Sequence, residues 1–428
     1  MIAYLLAALL VMIVLALPIA IIMGLLGVLM DFQFSPINLK LAMGQVAWNS
    51  SQKFELLGVP LFILTGELFL RSGMARDLYA CLRCWLSWLP GGVMHSNIGS
   101  CAVFAATSGS SVATAASIGT VALPEQKAHS YNERLFLGSL AAGGTLGILI
   151  PPSVNMIIYG VMSNTSIPQL YMAGLIPGAL LTIAFMATIV LACLIKPSWS
   201  GEREHFTWPQ RWASLRYLIP AMLLFVIIIG SIYSGTATVT EAAALGVAGA
   251  MLLAAWRRRL SFRVLRLALD GALRTTTMVM FIVIGAFFLN FVMVSLGLTS
   301  QITSLVTQTG LGPNETMLLI ILMYIVLGCF MDALAMVIMT IPIIAPLVVE
   351  LGYDPVWFGI IIVLVTEASL ITPPVGINLY VIQSIREGGS IGDVILGSLP
   401  FALTIFCMIL VLLAWPHLAL YLPTLVYR

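Results

Sequence analysis

Four places in this 428-residue chain set polar groups into otherwise apolar sequence. Ser108, Gly109, Ser110 and Ser111 lie in FAATSGSSVATAASIG, and Asp332 lies in GCFMDALAMV. Two double prolines, Pro151-Pro152 and Pro373-Pro374, interrupt GGTLGILIPPSVNMIIY and TEASLITPPVGINLY, and each is followed by an asparagine, Asn155 or Asn378. A double proline removes two backbone donors and clashes with the preceding turn, so each helix must unwind there. Freed carbonyls and hydroxyls are ligands for a desolvated cation, and the amides at a helix start hold an anion. The chemistry on offer is reversible binding. Close packing of small residues explains the serine-rich stretch equally well, and one double proline alone is explained by a packed kink.

The elements that position these groups follow from composition. With 61% hydrophobic and 8% charged residues, the chain is a polytopic helical membrane protein, not a soluble domain. Strand alternation with turn signals is missing, which argues against a β-barrel. A net charge of +2 identifies no partner. Residues 1 to 30 read as a retained span with no signal-peptide pattern. Further spans are expected at 54 to 70, 134 to 165, 168 to 196, 217 to 234, 236 to 256, 275 to 297, 355 to 385 and 391 to 418. Segments 91 to 124 and 316 to 346 are each interrupted centrally and read as re-entrant helical hairpins. Met74 to Leu89 and Leu260 to Leu273 are amphipathic and are expected to lie flat in the interface. The six cysteines imply no disulfide framework, and Cys81-Leu-Arg-Cys84 is a lone pair without metal spacing.

The two breaks lie 222 residues apart, and the same spacing relates Gly24 to Gly246, Pro124 to Pro346 and Ser110 to Asp332. After one extra residue it becomes 223, pairing Asn155 with Asn378, Gly174 with Gly397 and Pro177 with Pro400. The chain reads as an internal duplication: a first repeat over 1–195, a linker over 196–235 and a second repeat over 236–428. Arg257, Arg258, Arg259, Arg263, Arg266 and Arg274 face only Lys40 in the equivalent window. Arg71, Arg76 and Arg83 have no counterpart in the second copy. By the positive-inside rule equivalent loops lie on opposite faces, so the repeats are inverted. Loops near 71 to 90, 125 to 134, 196 to 216 and 257 to 274 are then cytoplasmic.

A carboxylate at mid-bilayer costs about 3 kcal/mol on insertion and must face protein or water. Asp332 fits an N-cap for the returning helix and fits equally a role in binding cation or substrate. Glu367, shortly before the second break, is the most suggestive of the others. Glu241 in TVTEAAALG reads as a first-turn partner, and Glu67 as a buried structural carboxylate. His95, His129, His205 and His417 lack metal spacing. No P-loop or HExxH is present, so neither ATP nor that zinc chemistry is indicated.

GSSVATAASIGTVALP, GGTLGILIPPSVNMIIYG, TEAAALGVAGA and TEASLITPPVGINLYV together resemble the large membrane subunit of the tripartite ATP-independent periplasmic (TRAP) transporters, over nearly the whole chain. The resemblance implies an all-α inverted-repeat fold of the elevator type, in which hairpins and broken helices move against a scaffold. It implies uptake of a small organic anion, driven by Na⁺ as coupling ion, across the bacterial inner membrane. Its partners would be a periplasmic substrate-binding protein, a small four-helix membrane subunit and membrane lipid. Carried onto this sequence, sodium ligands would be Ser108, Gly109, Gly144, Thr145 and Asn155 in one half, with Gly328, Thr366, Thr372, Gly376 and Asn378 in the other. Substrate contacts would be Ser110, Ser111, Asp332 and Glu367. Asp332 in place of a serine breaks the symmetry of the two sets. Two alternatives remain: a stand-alone cation-coupled carrier, and an intramembrane enzyme using the serine-rich tip.

Overall fold

Apolar runs bounded by Pro, Gly, Ser and Asp cap residues determine where the chain turns. In this computed structural model residues 1–129, 131–202, 204–298, 301, 304, 310–328 and 331–426 are described, and among them every regular element is a helix. The first half contains α1 (Ile2–Val14), α2 (Ile19–Phe34), α3 (Met43–Ser51), α4 (Gly58–Arg71), α5 (Met74–Leu86), α6 (Val93–Ser108), α7 (Ser111–Ala128), α8 (Glu133–Leu149), α9 (Val154–Ser163) and α10 (Ile167–Ile195). After the linker come α11 (Trp208–Tyr233), α12 (Val239–Trp256), α13 (Phe262–Ser295), α14 (Pro313–Gly328), α15 (Ala333–Glu350), α16 (Pro355–Leu370), α17 (Ile377–Ile385), α18 (Ile391–Ala414) and α19 (His417–Val426). Six of these helices are long and apolar enough to cross a membrane, and the bent pair α8 and α9 makes a seventh span. The chain is a multi-pass membrane protein.

The helices form two groups that also pack on each other, α4, α5 and α11 against α6 and α13 against α15. In the outer group α2 lies along α13, α4 packs against α12 and α13, and α11 against α5 and α12. In the inner group α6 and α7 pack on α8, α14 and α15 on α16, and the short half-helices cross over, α9 against α15 and α17 against α7. Helix α8 also meets α18 at backbone level. A methyl on Gly138 would sit 1.9 Å from the Gly397 carbonyl oxygen, and one on Gly397 would sit 1.8 Å from that of Arg134. Only residues without a side chain let two helices approach so closely.

The helix limits follow the residue spacing found in the sequence. Shifting α7 by 222 gives the limits of α15, and shifting α9 by 223 gives the start of α17. Caps recur at the same offset. Asn132 accepts from Leu135 N and Asp354 from Val356 N, while Ser110 caps α7 and Asp332 caps α15.

Three expectations about spans are corrected. Residues 1 to 30 form two short helices, because Pro18 cannot continue the first and Ala16 turns it with a φ of 53°. Leu260 to Leu273 is no separate interfacial helix: Ser261 caps a continuous 34-residue α13 that contains most of it and the following span. Helix α11 starts at Trp208, not 217, because Thr207 and Gln210 form a capping box there. The two hairpins form as α6 with α7 and α14 with α15, and Met74–Leu86 is helical with Met74, Ala75, Leu78 and Tyr79 buried.

Candidate substrate and cation site

Each double proline interrupts its helix pair as its chemistry requires. Helix α8 ends at Leu149, Ile150 is extended, and Ser153 caps α9 by accepting from Met156 N at 3.4 Å. The two segments meet at 42°. In the second copy α16 ends at Leu370, and Gly376, with φ 54°, opens α17. Both Pro-Pro bonds are cis.

The tip of the first hairpin is seated on the first break. Gly109 takes a left-handed φ of 61°, ends α6 through its N–H to Ala105 O, and its carbonyl accepts from Val154 N at 3.4 Å. A methyl there would lie 2.8 Å from Pro152 O. Helix α7 can descend beside α8 because a methyl on Gly147 would lie 2.6 Å from Ser110 O, and one on Gly144 2.6 Å from the Ala115 methyl. The glycines of GGTLG therefore let hairpin and break touch backbone to backbone.

Tips and breaks enclose one cavity of about 80 Å³. Its lining includes Gly109, Ser110 and Ser111, then Val154 and Asn155, then Asp332 and Ala333, and Ile377. Thus the first residues of α7, α9, α15 and α17 all line it, and a helix start carries up to roughly half a positive charge. That favours an anion. Apolar Val112, Ile148, Leu334 and Leu370 of the hairpins and broken helices complete their part of the lining, and the rest of the wall comes from Ile63 of α4 and from Thr275 and Val279 of α13.

Polar groups left over sharpen the chemistry. Asn378 is fully buried and its Nδ2 donates to Ser111 Oγ at 2.8 Å and to Ala141 O at 3.3 Å, leaving Oδ1 without a partner. Asn155 is 2% exposed and leaves Nδ2 without one. The first is a bare acceptor suited to a cation, the second a bare donor suited to a carboxylate. Asp332 Oδ2 accepts from Ala335 N at 3.4 Å as an N-cap, while Asp332 also lines the cavity. Both readings of that residue are therefore present in its geometry.

The other expected positions divide by distance from the cavity. Ser108 Oγ lies 2.9 Å from Thr114 Oγ1, just behind the tip. Thr145, Thr366 and Thr372 turn their hydroxyls to their own helices, bonding Ala142 O, Val363 O and Ala368 O. Gly144 faces Asn378, Gly376 caps α17, and Gly328 ends α14 against Ser369. Glu367 is fully buried on α16 but lies outside the cavity lining, with neither carboxyl oxygen hydrogen-bonded. Thr114, which donates to Ser110 O at 2.7 Å, was not foreseen, although its place four residues after the tip serine is a signal for it. The α4 and α13 wall carried no local signal.

One carboxylate and one histidine differ from expectation. The Glu67 side chain is 19% exposed and pairs with Arg71 at 3.1 Å, so it is not buried alone. Glu241 forms the expected capping box with Thr238. His129 gathers with Glu125 and Glu204, distant in sequence, into a group with ligand atoms within 4.8 Å of one another. Arg83 stands among them, bonded to Glu125 at 2.5 Å and to Glu204, so the cluster is an ion-pair network joining α5, α7 and the linker.

Broken helices, helical hairpins and a central cavity lined by four helix starts define a membrane transport protein. The family model for the tripartite ATP-independent periplasmic transporter, DctM component, matches residues 6–418, and the chain belongs to that family as its large permease. It is similar to the C4-dicarboxylate TRAP transporter large permease protein of Pseudomonas aeruginosa, 34% identical over 94% of this chain and 93% of the relative. It is also similar to the sialic acid TRAP transporter large permease protein of Vibrio cholerae, 31% identical over 87% of each. Among solved structures the YdaH transporter of Alcanivorax borkumensis shares the fold, with a TM-score of 0.61, 14% identity and coverage of 89% of this chain and 90% of that one. These relatives are transporter permeases, not enzymes.

Proposed function

We propose that this permease imports a small organic anion, a dicarboxylate or sugar acid delivered by a periplasmic binding protein, together with Na⁺ and beside a small membrane subunit. The observation that carries this reading is the meeting of four helix starts and the bare Asn155 Nδ2 on one cavity, with Asn378 bonded to Ser111 of its lining and its Oδ1 left bare. The donors at the helix starts and Asn155 Nδ2 hold the carboxylate. Asn378 Oδ1 with Ser110, Ser111 and nearby carbonyls offers oxygens to Na⁺. The names of the relatives, for C4-dicarboxylate and sialic acid, support a carboxylate as the class.

Electrostatics requires a cation. Bringing a dianion in against ~100 mV costs roughly 4.6 kcal/mol at about 2.3 kcal/mol per charge. Two Na⁺ cancel that, and a third makes transport voltage-driven. In this reading the 222-residue duplication is inverted, and the inner group of helices carries the site past the outer group. Uptake by proteoliposomes containing both membrane subunits, with binding protein outside, is the test. Uptake that persists unchanged when K⁺ replaces Na⁺ refutes sodium coupling, and uptake without the binding protein favours a stand-alone carrier.

A further inference from the structure

On the face that the basic loops assign to the cytoplasm, a cleft of about 750 Å³ separates α7 from the ends of α4 and α5. Arg71, Arg76, Asp77 and Arg259 form one wall, and Ala116 and Thr120 belong to the other. Most of these charges are answered. Arg71 pairs with Glu67 at 3.1 Å, and Arg259 with Asp77 at 2.8 Å, which also takes Arg257. Arg76 is exposed and has no ion pair among the described residues.

The cleft and the central cavity share a helix face. Val112 lines the cavity, and Ala116 and Thr120 line the cleft; these positions, four residues apart, are stacked on α7 at about 6 Å per step. The other end of the fold offers an internal comparison. By the 222 spacing Ala116 and Thr120 correspond to Ile338 and Pro342, which meet Leu289 and Met293 of α13 with no water-sized space between. At that register Arg71 corresponds to Met293 and Arg76 to Leu298. The seam closed on one side is thus apolar but for Asn290, and its open counterpart is basic. Other arginines assigned to this face, Arg263 and Arg266 among them, also lack an ion pair among the described residues, and what sets Arg76 apart is its place on the wall of a cleft along α7.

We propose that this cleft is a second anion subsite, on the release side, where Arg76 receives the carboxylate as it leaves the central cavity along α7. The inference rests on the organic-anion reading above. It is tested on the full chain with its small subunit in inside-out vesicles, with Ala116→Cys as reporter and unsubstituted protein correcting for native cysteines. Rates are measured with an anionic and a cationic methanethiosulfonate reagent, each normalised to free cysteine. The anionic reagent is expected to be favoured, and Arg76→Gln to lower the ratio about threefold or more. Millimolar succinate is expected to slow anionic labelling beyond NaCl of equal ionic strength with Arg76 present, and no longer with Arg76→Gln. A ratio unchanged by Arg76→Gln overturns the proposal, as does equal slowing by succinate and NaCl. So does a ratio that Arg76→Gln lowers only when phosphatidylglycerol is in the vesicles, which assigns Arg76 to a lipid headgroup. Labelling needs no turnover: unchanged labelling with intact Na⁺-driven uptake removes the subsite alone, and lost uptake with the labelling effects retained removes the transport reading alone.

Discussion

Replacing Gly109 by alanine tests whether the hairpin tip must sit on the break for Na⁺ to bind. Two costs arise. A residue with a side chain at φ 61° loses about 1–2 kcal/mol to the left-handed conformation. Its methyl would stand 2.8 Å from Pro152 O, against 3.4 Å for an ordinary contact, and overpacking against fixed backbone costs about 1–3 kcal/mol. The tip relieves both by lifting, which breaks the bond from Val154 N to Gly109 O. If Na⁺ binds only the seated tip, about 2–5 kcal/mol comes out of its binding energy, a rise in Kd of roughly 30- to several-thousand-fold. The assay is the melting temperature of the purified two-subunit complex titrated with NaCl against choline chloride. Gly24→Ala is the control, since a methyl there meets nothing within 4 Å. A Na⁺ midpoint for Gly109→Ala within threefold of the parent refutes the seating argument, and a parent that does not respond to Na⁺ refutes the sodium premise itself.

Two further substitutions separate roles. Asn378→Ala removes the bare Oδ1 and the bond to Ser111, so it is expected to weaken Na⁺ stabilisation at least tenfold. Asn155→Ala is expected to raise the half-saturating substrate concentration more than that for Na⁺, and the opposite order in uptake assays would exchange the two assignments. Asp332→Asn keeps an N-cap of equal quality and removes the charge. Melting within a few degrees of the parent with Na⁺-driven uptake lost is the expected result, whereas retained uptake would leave Asp332 as a cap only.

The site was more legible in the sequence than the packing around it. Double prolines followed by Asn155 and Asn378 announce themselves because no uninterrupted helix accommodates them, and Ser110 and Asp332 are cap residues at a fixed offset. Gly109, Ser110, Ser111, Asn155 and Asp332 all reach the cavity for that reason. Glu367 does not, because an apolar run tells that a carboxylate is buried without telling which way its helix faces. The wall from Ile63, Thr275 and Val279 depends on helices distant in sequence, as does the union of His129 with Glu204. Residues 1 to 30 misled because uniform apolarity conceals a turn whose only mark is Pro18.

The contact between Gly138 and Gly397 locks α8, which carries the first break, to α18 of the second half, with no side chain between them to yield. In the elevator reading proposed above, such a joint makes these two helices travel as one body. A site carried that way gives neither direction an advantage by itself, so in that reading the direction of net flow comes from ion concentrations and voltage on either side. Reversing those gradients should run the same molecule backwards.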